Sequence, residues 1–190
     1  IKAYGGFFLL PNTTSEDKTP KAIFFSLFEK MDMSLFDLKN PHRPRRWYLN
    51  REGHDIRIDL CMQLLSGLTY LEKKQIMHRD IKPENILVKK QGDRWIAKIA
   101  DFGAATHVGA DAAQNSEVTT WWYRAPEHFA KNSGLGTHPF DTKLDVWALG
   151  CVMAEMFLGG TTMMSVICYA DIEGPLYQSA KIYNIGLDEY

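Results

Sequence analysis

The stretch "HRDIKPEN", residues 78 to 85, packs two acids, basic side chains and an asparagine in front of a short strand-like run, "NILV", and a second acid-bearing turn, "DFG", follows at 101 to 103. Side chains of these types can accept a proton, offset anionic charge, and offer carboxylate or amide oxygen to a hard divalent cation, which prefers such oxygens to imidazole or thiolate. Singly, each motif is weak. A His-Arg-Asp triplet also reads as a surface salt bridge, and Asp-Phe-Gly as an ordinary strand-to-turn ending.

The surrounding pattern predicts the elements that position these residues. "YGGFFLLP" and "KAIFFSLFE" flank the turn-rich "NTTSEDKTP" and predict a β-hairpin, after which "KMDMSLFDLKN" turns toward helix. "PHRPRRWYLNREGHD", basic and proline-bearing, reads as an exposed loop. Ile58, Cys61, Leu64, Leu65, Leu68 and Leu71 recur at spacings of three and four, one face of an amphipathic helix leading into the polar run. "NILV" and "WIAKIA" around "KKQGDR" predict a second hairpin. "LDVWALGCVMAEMFL" is apolar on nearly every side, as suits a helix in the middle of a helical core.

Composition narrows the class. With 190 residues, 45% of them hydrophobic, the chain can bury a core, and 22 Lys plus Arg against 23 Asp plus Glu leave a net charge of -1. That balance points to neither nucleic acid nor membrane as partner; "HRPRRW" is only a short basic stretch. Cys61, Cys151 and Cys168 are odd in number and lie in apolar runs, which suits reduced thiols and a cytoplasmic or nuclear location. The apolar stretches are too short or too interrupted by Glu155 for a bilayer span, and no targeting segment is expected.

Order and spacing carry more weight than any single motif. "HRDIKPEN", "DFG", "APE" at 125 to 127 and "DVWALG" at 145 to 150 together resemble the catalytic lobe of a protein kinase. The resemblance runs from about residue 4 to about residue 186 and implies an α+β, bilobal fold: residues 1–29 ending the small lobe as a hairpin, 30–33 as hinge, and 34–190 as a mostly helical large lobe. Phosphoryl transfer needs an aimed hydroxyl, metal-holding oxygens and a cation on the phosphates. By this resemblance Asp80 takes the substrate hydroxyl's proton, Lys82 faces the γ-phosphate of ATP, and Asn85 and Asp101 hold Mg²⁺. Glu29 and Met31 meet the purine edge through their backbone, Leu87 closes the pocket from below, and Phe28 limits its depth. His78 and Phe102 resemble a stacked pair of the regulatory spine, Asp145 a buried acid holding the catalytic-loop amides, and Gly103 leaves the backbone free to turn.

Lys82 and Thr120 match serine/threonine kinases, and "TTWWYRAPE" resembles the cyclin-dependent and mitogen-activated group, in which the arginine at the position of Arg124 accompanies a preference for proline after the acceptor. A protein substrate and a possible regulatory subunit are the implied partners. Three features depart from the family. Asn115 stands where an activating phosphothreonine is expected, which leaves phosphorylated Ser116, Glu117 or nothing for Arg79 to meet, and Trp121 is unusual at its position. No glycine-rich loop or small-lobe lysine is present, nor the arginine that would pair with a partly buried Glu127, so the expectation is that the chain does not transfer phosphate by itself. The competing expectation is a noncatalytic kinase-like module that binds a partner.

Overall fold

The computed structural model describes residues 1–9, 23–39, 51–110, 119–128 and 140–158. Expectations for the turn at 12–20, the basic stretch at 41–50, the positions of Asn115, Ser116 and Glu117, and the segment from 159 onward lie outside the described residues.

β1 (Ala3–Leu9) and β2 (Ile23–Phe28) pair antiparallel, in register from Ala3 opposite Phe28 to Leu9 opposite Ile23. The ladder slips between Ala3 and Gly5, where Gly5 has φ +149°, a conformation that residues with a side chain rarely adopt. β3 (Met33–Ser34) then pairs with the strand that follows the polar run, so the helix expected from Lys30 starts only at α1 (Leu35–Lys39). Ser34 and Asp37 box its first turn: the Asp37 amide donates to Ser34 Oγ at 3.0 Å, and Ser34 N donates to Asp37 Oδ2 at 3.3 Å.

α2 runs Arg51–Lys73, so residues 51–55 are helix and not the loop their polarity suggested. Charged residues on a helix's solvent side hide its period from a sequence reading. Of the apolar positions expected to face the core, Cys61, Leu64, Leu68 and Leu71 are buried, whereas Ile58 and Leu65 are 45% and 37% exposed. These two sit on the flank of the stripe, and Leu60, fully buried, takes part in their place. Gly67 lets the helix close on the sheet, since a Cβ there would lie 3.3 Å from Ile99 Cδ1.

β4 (Ile76–Met77) ends at the polar run and pairs with β7 (Thr106–His107). β5 (Ile86–Gln91) and β6 (Arg94–Ile99) form the second hairpin and, with β3, a three-stranded sheet in the order β3-β5-β6. The turn is tighter than "KKQGDR" implied: Gln91 pairs with Arg94, and Gly92 takes φ +61° between them. On the open edge of β6, the Gln63 side chain donates to Trp95 O and accepts from Ala97 N, both at 2.9 Å. α3 (Lys143–Phe157) buries Leu144, Ala148, Leu149, Val152 and Met156, largely in the core shared with α2 and the sheet. It is buried on one face and not all round, since Val146 and Trp147 are 53% and 41% exposed. No helix among the described residues is long and apolar enough to cross a membrane, and Cys61 and Cys151 are free and buried.

Candidate active site

The polar run is held from beneath by one carboxylate. Asp145, buried in the first turn of α3, accepts the backbone N–H of His78 at 2.6 Å and of Arg79 at 2.8 Å. These bonds hold a bend in which Arg79 has φ +67°, a left-handed conformation that side-chain-bearing residues rarely adopt and that costs about 1–3 kcal/mol. Burial pushes the Asp145 carboxyl above its ordinary range, opposed by the two amides. His78 is fully buried: Nε2 donates to Ala100 O at 2.9 Å, which leaves Nδ1 to accept the Asp80 amide at 3.3 Å. Arg79 Nε donates to Ala104 O at 2.7 Å and so ties the run to the segment after "DFG".

Asp80 lies at the centre of a compact network. Its Oδ2 accepts from Lys82 Nζ at 2.8 Å and Asn85 Nδ2 at 2.9 Å; its Oδ1 accepts from Thr120 Oγ1 at 2.7 Å and Thr120 N at 3.3 Å. Lys82 Nζ also donates to Thr120 Oγ1 at 3.0 Å. Four of the residues named from sequence, Asp80, Lys82, Asn85 and Thr120, thus meet in one place. Burial raises the Asp80 carboxyl, but Lys82 and Thr120 together outweigh it and leave it below its ordinary value. It stays ionised at neutral pH and can accept a hydrogen bond from an incoming hydroxyl.

Asn85 closes a 3₁₀ turn, Pro83–Asn85, and its amide nitrogen is committed twice, to Asp80 O and Asp80 Oδ2, both at 2.9 Å. Its amide oxygen is therefore the atom left for a cation. The Asn85 carbonyl accepts the Ala100 amide at 2.8 Å, which places the next residue, Asp101, beside the run. Asp101 is exposed with φ +60°, and its Oδ1 accepts the Gly103 amide at 3.2 Å. The left-handed residue of this turn is Asp101, not Gly103. What glycine supplies at 103 is space, because a Cβ would sit 3.1 Å from Asp101 Oδ1. His78 and Phe102 meet edge-on, centroids 4.8 Å apart at 68°, and not as a parallel stack.

The segment between the two sheets is pinned by Glu29. Its carboxylate pairs with Lys98 and with Lys89 (3.3 Å) and accepts the Lys2 amide at 2.8 Å. The Glu29 N–H is spent on Lys2 O at 2.9 Å, so only its carbonyl is available to a purine edge. Lys89, Lys98 and Leu87 share the face of the β5–β6 hairpin opposite buried Ile86 and Val88, which puts Leu87 on the Glu29 side. Met31 is half-buried and Phe28 is 48% exposed. Lys98, then the Lys2 amide, hold the Glu29 carboxyl down from 4.5 to about 2 against burial. Its folded value lies below its unfolded one, so its stabilisation is present above pH 4.5 and is lost as pH falls from there to about 2. Glu29→Gln is expected to flatten that part of the stability profile, read as denaturation midpoint against pH. An unchanged acid limb would refute the assignment.

Beyond Thr120, a 3₁₀ turn spans Trp121–Tyr123. Arg124 Nε donates to Thr119 O at 2.8 Å, and the Tyr123 hydroxyl donates to fully buried Glu155 at 2.9 Å. In the sequence Glu155 stands only as an interruption of an apolar run. A lone acid in such a helix was itself the signal, since a buried carboxylate needs a donor. Glu127 is exposed, so the desolvation cost expected of a partly buried acid does not arise.

Residues 18–185 match the family model of the protein kinase domain, and the chain belongs to that family. Among solved structures it is similar to a chain in the crystal structure of the yeast RNA Pol II CTD kinase CTDK-1 complex, at 30% sequence identity and a TM-score of 0.57. The match covers 82% of this chain and 45% of that one, so the chain spans less than half the length of that relative.

Proposed function

We infer that the protein carrying this chain is a serine/threonine kinase that transfers the γ-phosphate of ATP to a protein hydroxyl followed by proline. The observation that carries the reading is the Asp80–Lys82–Thr120 network with Asn85 beside it. In the transfer the acceptor oxygen bonds to the γ-phosphorus, the bond to the β–γ bridging oxygen breaks, ADP leaves, and the hydroxyl proton passes to Asp80. Lys82, 2.8 Å from Asp80, offsets charge where acceptor and γ-phosphate meet. The Asn85 amide oxygen and the exposed Asp101 carboxylate are oxygen donors of the kind that suit Mg²⁺ and would hold it, and the ion when bound would neutralise phosphate charge. The Glu29 carbonyl and Met31 backbone would meet the purine edge above Leu87, with residues 1–29 as the end of the small lobe and 30–33 as hinge.

Proline preference is supported by Arg124. Its Nε occupies the Thr119 carbonyl, which would otherwise accept the N–H of the residue after the acceptor. Proline has no such N–H to leave unpaired. A regulatory subunit fits the similarity to a chain solved as part of a complex, and the buried free cysteines fit the cytoplasm or nucleus.

In the full-length protein, transfer from ATP should reach Ser and Thr peptides but not Tyr, favour Ser-Pro over Ser-Ala about tenfold, and lose that preference in Arg124→Ala. No transfer to any peptide, with the protein folded, would turn the assignment to the noncatalytic binding module.

A further inference from the structure

Trp121 lies beside the arginine on which the proline preference just proposed depends, and its role rests on that reading. Arginine is long and flexible, and the arrangement at Thr119 depends on where the Arg124 guanidinium is held. The turn places it against an aromatic face. The 3₁₀ turn brings residues three apart onto one side, with Arg124 N donating to Trp121 O at 3.2 Å, so the two side chains lie over each other. The guanidinium carbon then sits 5.3 Å from the Trp121 ring centroid, over a face that attracts cations. From the other side, Thr119 is fixed by its hydroxyl, 3.3 Å from Nε2 of His128. His128 is itself buried against Phe140, ring centroids 4.7 Å apart. The Thr119 hydroxyl and the Arg124 guanidinium thus each meet a separate aromatic side chain.

We propose that Trp121 is a positioning residue for substrate selection: its ring keeps Arg124 on the Thr119 carbonyl and so sets how strongly proline is preferred after the acceptor. With the ring removed, the guanidinium loses the face that keeps it over the Thr119 carbonyl, and that carbonyl becomes more open to the N–H of a non-proline residue. Selectivity then falls because the Ser-Ala peptide improves.

The test compares wild type, Trp121→Leu and Trp121→Phe in the full-length protein. The Ser-Pro to Ser-Ala ratio of kcat/KM should fall about fivefold in the leucine variant and be largely kept in the phenylalanine variant, which retains a π face. In ¹⁵N spectra the Arg124 Nε–H should be ring-current-shifted and slow to exchange in wild type and Trp121→Phe, and lose both properties in Trp121→Leu. A wild-type ratio near one would sink the proline reading and this selectivity role with it. A wild-type ratio well above one that Trp121→Leu leaves unchanged overturns the role of Trp121 alone, as does an Arg124 signature indifferent to the leucine change.

Discussion

Asp80→Asn is expected to reduce phosphoryl transfer by the full-length protein about 10³-fold, the order of a lost general base. The reason is specific to the network around it. Each carboxylate oxygen takes two donors, Lys82 and Asn85 on one side and Thr120 twice on the other. An amide replaces one acceptor by an NH₂ group, which in either orientation faces donors already in place, and it cannot take a proton from the acceptor hydroxyl. The loss should fall on kcat, with nucleotide affinity little changed, because no purine contact is assigned to Asp80. Initial rates with a Ser-Pro peptide, beside a denaturation midpoint to show that the variant is folded, decide the matter. A loss of less than tenfold would remove Asp80 from the chemistry.

Asp145→Ala should cost about 3 kcal/mol of folding stability, within the range for breaking a buried charge-assisted pair of bonds. Its two acceptors serve the His78 and Arg79 amides, which have no water to turn to once the side chain is gone, and the left-handed bend at Arg79 loses its restraint. Asp145→Asn should be the milder change, keeping one acceptor but aiming a donor at the second amide. Because burial raises the Asp145 carboxyl, its favourable share is complete below the unfolded value and declines as pH rises through the folded one. Urea titration at neutral pH measures both variants; a change below about 1 kcal/mol for alanine would contradict the geometry. Since stability is only about 5–15 kcal/mol for a typical domain, a loss of 3 would also loosen the run that carries Asp80.

How much of this could be read from residues alone differs by kind of feature. The hairpins were legible because alternation and turn residues are local signals, and the cluster around Asp80 because Lys82 and Asn85 lie within one short run. The stripe on α2 was misplaced by Ile58 and Leu65, whose hydrophobicity says nothing about which flank the neighbouring sheet covers. The early start of α2 was hidden by charges that suit loop and helix alike. The Tyr123–Glu155 bond, the Glu29 cluster and the 3.1 Å approach behind Gly103 join residues that only tertiary structure brings together, or depend on atomic spacing. Periodicity cannot report these.

The clasp that Gln63 makes on β6 reaches beyond stability. A strand at the border of a sheet presents a row of bare amides and carbonyls on which a stray chain can zip up, the usual beginning of aggregation. Here one glutamine from the neighbouring helix occupies an acceptor and a donor of that row, at Trp95 and Ala97. The hairpin that carries Leu87 and leads to Asp101 is thereby screened against association with foreign strands, a safeguard supplied from α2, outside the sheet itself.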